Sequence, residues 1–446
     1  MQHEKFHYSS LKEVKEKAKE LKIDLPLSSN TEVLNQPIHI NGYKINNRLA
    51  IQPMEGCDGT ADGRPDTLTT RRYKRFAESG AGIIWVEAVA VVPEGRANPR
   101  QLMLTEKNRD SFKSLIETIR ETSLKENGFE PLLIMQATHS GRYSKPNGTP
   151  SPVIAYQNPV LEKEHPLDES CIVSDDYLKN LTEQYAAFAK LVKEVGFDGV
   201  DIKACHRYLI SELLSAYNRA GSYGGSFLNR TRLLRESIAA AKSAVSSSFV
   251  VTSRLNIYDG FPYPYGFGVQ KDGGLIPDMS ESMELVRLLY EENGVQLLNL
   301  TLGNPYANPH VNRPFDVGPY EPEEHPLEGV ARMCSCIGEI KQSLPQLTVI
   351  SSGTSYLRQF SLNLAAGMLK TGQADIAGFG REAFAYPDFA KDILKYSHLD
   401  GNKCCITCSK CSQLMRAGST AGCVIRDSEV YLPIYKRDVM KIEKDH

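Results

Sequence analysis

Three cysteines stand at C-x2-C-x2-C spacing, Cys405-Ile-Thr-Cys408-Ser-Lys-Cys411, and a fourth, Cys423, follows after eleven residues. Together they offer four thiolates to one site. A tight triplet with one distant ligand suits a [4Fe–4S] cluster, the triplet wrapping three corners of the cube and the fourth cysteine closing it. Zinc is the alternative, although structural zinc sites usually pair their ligands as two separate C-x2-C knuckles. A cluster moves electrons one at a time, so other residues must supply chemistry that uses them.

The elements that must position such residues are legible in the hydropathy pattern. Apolar, β-rich runs at 48–53, 82–91, 131–139, 199–205, 249–258, 295–303, 347–353 and 375–381 alternate with amphipathic helical runs such as 177–195 and 283–292. Several helices stop at a glycine just before the next strand, as at Gly80, Gly196 and Gly294, in the manner of a helix C-cap. Eight strand–helix units predict an α/β fold, a (β/α)8 TIM barrel, because buried parallel strands are continuously apolar. A doubly wound sheet is the runner-up. Residues 1–35 are expected to form a helical N-terminal extension, 36–398 the barrel and 399–446 a C-terminal four-cysteine segment. Loops at 140–174 and 259–279, rich in Pro, Gly and aromatic residues, are expected to rim the catalytic face.

Composition narrows the function classes. The 446 residues are 41% hydrophobic and 24% charged, typical of a soluble globular protein. A formal net charge of −2 with no long basic run gives nucleic-acid binding no electrostatic support. The N-terminus is charged rather than signal-like, and no apolar run is long enough to span a bilayer. Five of the ten cysteines lie between Cys404 and Cys423, which argues for a metal site over a disulfide framework and for a reducing cytoplasm.

In a barrel, catalytic groups gather where strands end at the C-terminal face. The third strand ends Gln136-Ala-Thr-His139-Ser-Gly-Arg142, and the fourth runs into Lys203-Ala-Cys-His206-Arg207-Tyr208. The fifth carries Arg254, the seventh ends Ser351-Ser352-Gly353, and the eighth ends Gly378-Phe379-Gly380-Arg381. The last two suit a phosphate, since glycines expose backbone N–H groups, a helix follows and an arginine adds charge.

In this order the motifs resemble the Old Yellow Enzyme family of FMN-dependent oxidoreductases. The resemblance covers roughly residues 36–425. It is carried by Asn47-Arg48-Leu-Ala-Ile-Gln-Pro53-Met54, by Gln136 to Arg142, by Phe197-Asp-Gly-Val with His206-Arg-Tyr208-Leu, by Tyr223-Gly-Gly-Ser-Phe-Leu-Asn229-Arg230 and by Gly378-Phe-Gly-Arg381. The cysteines fall where the iron–sulfur branch, which includes bacterial 2,4-dienoyl-CoA reductase and trimethylamine dehydrogenase, places its own. The chain ends soon after Cys423, and the C-terminal nucleotide-binding domains of that branch are expected to be absent.

The resemblance implies roles. Gln136 would bond the pyrimidine edge of the flavin, Arg254 would sit near N1–C2=O, and Pro53 and Met54 would pack on the ring. Ser352, Gly353, Gly378 and Gly380, with Arg381, would hold the FMN phosphate. Tyr208 matches the family's proton donor, a phenol that donates while neutral. Where the family usually grips a carbonyl oxygen with a His pair or His and Asn, this chain has Lys203 and His206. Lys203 could serve a developing enolate, a substrate carboxylate, or a structural ion pair with Asp201 or Glu87. Arg207 would add positive charge for an anionic substrate. Glu55 replaces the usual Thr or Cys near flavin C4=O. Cys57 lies near the position of a covalent flavin link in trimethylamine dehydrogenase, but is shifted. His139 is expected to be structural. Segments 258–267 and 304–320 are expected to line the pocket.

These expectations describe an ene-reductase acting on an alkene conjugated to a carbonyl or carboxyl group, with electrons arriving from NAD(P)H or from a separate donor protein. An amine dehydrogenase passing electrons outward and a non-catalytic electron-transfer subunit are the alternatives. The family also makes a homo-oligomer plausible.

Overall fold

The structure, a computed structural model, describes residues 3–440; the ends of the 1–35 and 399–446 segments beyond these limits lie outside the described residues. A hairpin of β1 (Ile38–Ile40) and β2 (Tyr43–Ile45) precedes eight parallel strands that close a barrel. These are β3 (Leu49–Ile51), β4 (Ile83–Ala90), β5 (Leu132–Thr138), β6 (Gly199–Ile202), β7 (Val250–Asn256), β8 (Leu297–Thr301), β9 (Thr348–Ser351) and β10 (Ile376–Phe379). They pair in sequence order, and β10 returns to β3 with Gly378 opposite Ala50. The fold is the expected (β/α)8 barrel. A doubly wound sheet would leave edge strands, and closure removes them.

Each strand is apolar because each is covered twice. All eight residues of β4 are buried. The barrel interior holds Ala50, Ile83, Trp85, Ile134, Val250, Ile350 and Ile376, and Ile40 and Ile45 of the hairpin plug its N-terminal end. The outer face packs against amphipathic helices. Asp175–Glu194 starts on a Ser174 cap, buries Leu178, Leu181, Tyr185, Phe188 and Val192 at helical spacing, and is followed by Gly196 at φ 104°. Gly80 and Gly294 also take positive φ, 78° and 62°.

In the N-terminal segment, the helix Leu11–Glu20 turns Val14 and Ala18 into the main core, beside Phe6 and Tyr8. The C-terminal segment has its own small apolar cluster, Leu414, Val424, Tyr431 and Tyr435, between helices Lys410–Arg416 and Ser428–Asp438. Among the described residues no helix is long and apolar enough to cross a membrane.

Candidate active site

The C-terminal mouth of the barrel holds a cavity with about 1100 Å³ of empty space, part of it open to solvent. Its wall brings together Pro53, Met54 and Glu55 after β3, Gln136 on β5, and Lys203, His206 and Tyr208 after β6. Arg254 on β7, Ser352 and Gly353 after β9, and Gly378, Gly380 and Arg381 at β10 complete it. One space therefore gathers the strand-end residues expected at the flavin, together with Lys203, His206 and Tyr208 of those expected at the substrate. The segment after β8 adds Pro305, Tyr306, Asn312, Arg313 and Pro314.

Buried polar bonds fix the floor. Asp201 accepts from the Gln136 amide (2.7 Å), the Trp85 indole (2.8 Å) and the Arg254 backbone N–H (2.6 Å). Burial pushes the Asp201 carboxyl up to about 6, against the pull of these donors. Arg254 keeps its guanidinium for the cavity: its Nε has no partner among the described residues. Gln52, which the sequence did not single out, accepts from Asn299 (2.7 Å) and donates to the Ser351 carbonyl (3.0 Å) and Ser352 hydroxyl (3.1 Å). A side chain on Gly378 would overlap Gln52, and Gly353 sits at φ +87°. Gly378 is thus required by the close approach of Gln52 within β10, and Gly353 by its left-handed turn. Glu87 accepts from the Gly56 N–H (3.0 Å), which pins the chain just after Glu55.

One corner of the cavity is built around Tyr208. Its hydroxyl lies 2.8 Å from the Tyr306 hydroxyl and 3.5 Å from the Glu55 carboxyl, the latter at the limit of a hydrogen bond. The Lys203 ammonium sits 3.8 Å from the Tyr208 ring centroid. Its expected structural partners are engaged elsewhere, Asp201 with Gln136 and Trp85, Glu87 with Arg72. Tyr143 stacks on Tyr306 with centroids 4.0 Å apart, and Asn304 donates to the Tyr143 hydroxyl (2.7 Å). His206 takes φ 65°, a left-handed conformation costly for a non-glycine residue, which turns the chain so that His206 and Tyr208 both face inward. Although Glu55 opens on the cavity, loss of water raises its pKa; the same effect lowers Lys203 and His206 and lifts Tyr208 well above the usual phenol range.

The four cysteines line a second space of about 390 Å³, and Arg381, Phe384, Thr407 and Cys411 border both cavities. Thr407 and Ser409 take positive φ, 49° and 61°, as the chain wraps this space. Cys423 Sγ accepts from the Arg426 N–H (3.3 Å), and Glu382 accepts from the Cys405 N–H (3.1 Å). Among the described residues, no three potential ligands converge tightly enough to hold a single metal ion.

A family model described as NADH:flavin oxidoreductase / NADH oxidase matches residues 33–266, over half of the 446-residue chain. The chain belongs to this family. It is an oxidoreductase of the Old Yellow Enzyme type, as the motifs indicated. It is similar to an NADPH dehydrogenase of Bacillus pumilus (31% identity over 240 residues, 51% of this chain and 67% of the relative). It is also similar to an NADPH dehydrogenase of Bacillus subtilis (27% over 373 residues, 80% and 93%). Among solved structures, a 2-naphthoyl-CoA reductase complexed with 2-naphthoyl-CoA shares the fold at TM-score 0.72 with 18% identity, over 89% of this chain and 57% of that one. Histamine dehydrogenase from Rhizobium sp. 4-9 does so at TM-score 0.67 with 19% identity, over 89% and 53%. The chain thus spans little more than half of those two structures.

Four expectations for this flavin oxidoreductase are corrected or explained by burial and partners. Arg207 does not line the cavity. It is fully buried and pairs with Asp259 (2.8 Å), donates to the Tyr156 hydroxyl (2.9 Å) and bonds Ser215, locking the turn after β6 to the loop after β7. Segment 258–267 is likewise absent from the wall, because Asp259 faces Arg207 and the Tyr258 hydroxyl donates to the Leu275 carbonyl. His139 is structural: Nε2 meets the Tyr177 hydroxyl at 2.7 Å, Nδ1 accepts the Gly141 N–H, and burial lowers it to about 4. Cys57 is buried outside the cavity wall, with its sulfur accepting from Asn98 (3.3 Å).

Proposed function

We propose that this chain is an FMN- and [4Fe–4S]-dependent ene-reductase for alkenes conjugated to a carbonyl or carboxyl group. The observation that carries the proposal is one cavity shared by a neutral phenol, Tyr208, a lysine–histidine pair and the expected flavin-binding set. Gln136 and Arg254 would hold the pyrimidine side of FMN, Pro53 and Met54 its ring, and Ser352, Gly353, Gly378, Gly380 and Arg381 its phosphate. The unpartnered nitrogens of Arg254 and Arg381 fit that polar cofactor. Bound FMN would supply a hydride at N5 to the β-carbon of the alkene.

Tyr208 then gives its hydroxyl proton to the α-carbon. Burial keeps the phenol protonated until that step, and Lys203 over its ring stabilises the phenolate left behind. His206 and Lys203 hold the carbonyl or carboxylate oxygen where charge develops. The aromatic stack of Tyr143 and Tyr306 keeps water from that corner.

Cys405, Cys408, Cys411 and Cys423 would hold the cluster, which supplies one-electron relay. A C-x2-C-x2-C triplet and one distant cysteine lining a single space fit a cluster better than the paired knuckles of structural zinc. Cys411 borders both cavities, so electrons from a separate donor protein have a short route inward, while NAD(P)H could instead reach the open mouth. The outward-running amine dehydrogenase is less favoured. At the Tyr208 corner the Lys203 ammonium faces the cavity, and it disfavours a cationic amine there.

An anaerobic absorption spectrum, with iron, acid-labile sulfide and acid-released flavin assayed on one sample, tests the cofactors. About four irons, four sulfides and one FMN per chain are expected. Flavin without iron overturns the cluster, and absence of flavin overturns the whole proposal.

A further inference from the structure

Two arginines from distant parts of the chain meet on one serine of the cysteine segment. Arg381, just after β10, donates Nη2 to the Ser412 hydroxyl at 2.9 Å. Arg313, in the segment after β8, donates Nη2 to the same hydroxyl at 3.2 Å and to Ser409 at 3.2 Å. Ser409 in turn donates to the Val317 carbonyl. A serine hydroxyl has two acceptor lone pairs, and at Ser412 the two guanidinium groups use both.

Among the described residues no carboxylate pairs with Arg313 or Arg381; the acidic groups that act on Arg381 are the thiols of Cys405, Cys408 and Cys411. The nearby acids are committed, Asp316 to Arg358 (2.6 Å) and Glu324 to Arg332. Nε and Nη1 of Arg313 and Nη1 of Arg381 are enclosed and have no hydrogen-bond partner among the described residues. Like charges brought together out of water, with N–H groups unspent, are unfavourable unless an anion completes them. Both side chains border the flavin cavity, beside Ser352, Gly353 and Gly380.

We propose that Arg313 is a second ligand of the cofactor's phosphate, acting beside Arg381. The inference rests on the flavin assignment above. Arg313 comes from the segment after β8, and Ser412 joins it to Arg381 from the helix Lys410–Arg416 that carries Cys411. Phosphate binding and the fit of the cysteine segment against the barrel are therefore coupled. A planar guanidinium suits this role because its fork engages two phosphate oxygens at once.

The test separates phosphate from ring. The whole chain, stripped of flavin, is titrated with FMN or with riboflavin, which lacks the phosphate, and quenching of flavin fluorescence gives each affinity. Arg313→Gln is expected to weaken FMN roughly tenfold or more and riboflavin by less than about twofold, as for loss of one charge-assisted contact. Arg313→Met, which keeps the stem near Phe315, is the second variant should the first fold poorly, with the same expectation. Equal losses for FMN and riboflavin, or an unchanged FMN preference, overturn the role of Arg313. A wild-type chain that binds FMN no better than riboflavin overturns the phosphate site itself, a separate failure.

Discussion

The Lys203 ammonium lies 3.8 Å from the centroid of the Tyr208 ring, and among the described residues it forms no ion pair. A cation over a phenol ring favours the phenolate over the phenol, so this contact helps Tyr208 release its proton. Tyr208→Phe should lower kcat for alkene reduction by about 10²–10⁴-fold, the range of general acid catalysis, with little change in KM. Lys203→Gln should lower kcat less and raise KM for carboxylate substrates more than for ketones. Steady-state kinetics on matched enoate and enone pairs check both.

The cysteine assignment makes a prediction with an internal control. Cys404 adjoins Cys405 in sequence but is buried outside the four-sulfur space. Ser at position 405, 408, 411 or 423 should lower iron and sulfide per chain, whereas Cys404→Ser should leave both near the wild-type value. Loss of iron in Cys404→Ser alone would reassign the ligand set.

Arg207 and Asp259 form a fully buried ion pair, so removing one partner strands the other. Arg207→Met should destabilise the protein by about 3–5 kcal/mol, the range for breaking such pairs. The fall in Tm should come without a selective loss of affinity for anionic substrates. A substrate-selective loss in a stably folded variant would restore Arg207 to the site.

The contrast between Arg207 and its neighbours shows what the sequence can carry. Strand positions and strand-end residues follow from local hydropathy and from the barrel rule, which is why Gln136, Tyr208, Arg254 and Arg381 could be placed. Partners far along the chain do not. Asp259, 52 residues from Arg207, turns an apparent substrate cation into a loop lock. Tyr306 and Arg313 lie in the 304–320 segment expected at the pocket, but which of its side chains face inward depends on the path of that segment after β8, which no periodic pattern encodes. The β1–β2 hairpin escaped notice because each strand has only three residues, too few for alternation to register.

His139 gives a pH prediction. Its folded pKa of about 4 lies below the usual 6.5, so neutral His139 contributes stability that is full above about pH 6.5 and is lost as pH falls toward 4. The contribution is at most on the order of 3 kcal/mol. His139→Gln should lower Tm at pH 7 and flatten its fall between pH 7 and 5 relative to the wild type. Parallel wild-type and variant Tm curves would show that His139 does not titrate in that window.

The direction of chemistry is tested most directly by anaerobic single turnover. The holoenzyme, reduced with dithionite, is mixed with conjugated enones and enoates, and flavin absorbance is followed in wild type and Tyr208→Phe. The account predicts flavin reoxidation by a conjugated alkene, with saturated product and a marked slowing in the variant. Flavin that no conjugated alkene reoxidises, but that is bleached in the oxidised enzyme by an amine, would contradict it.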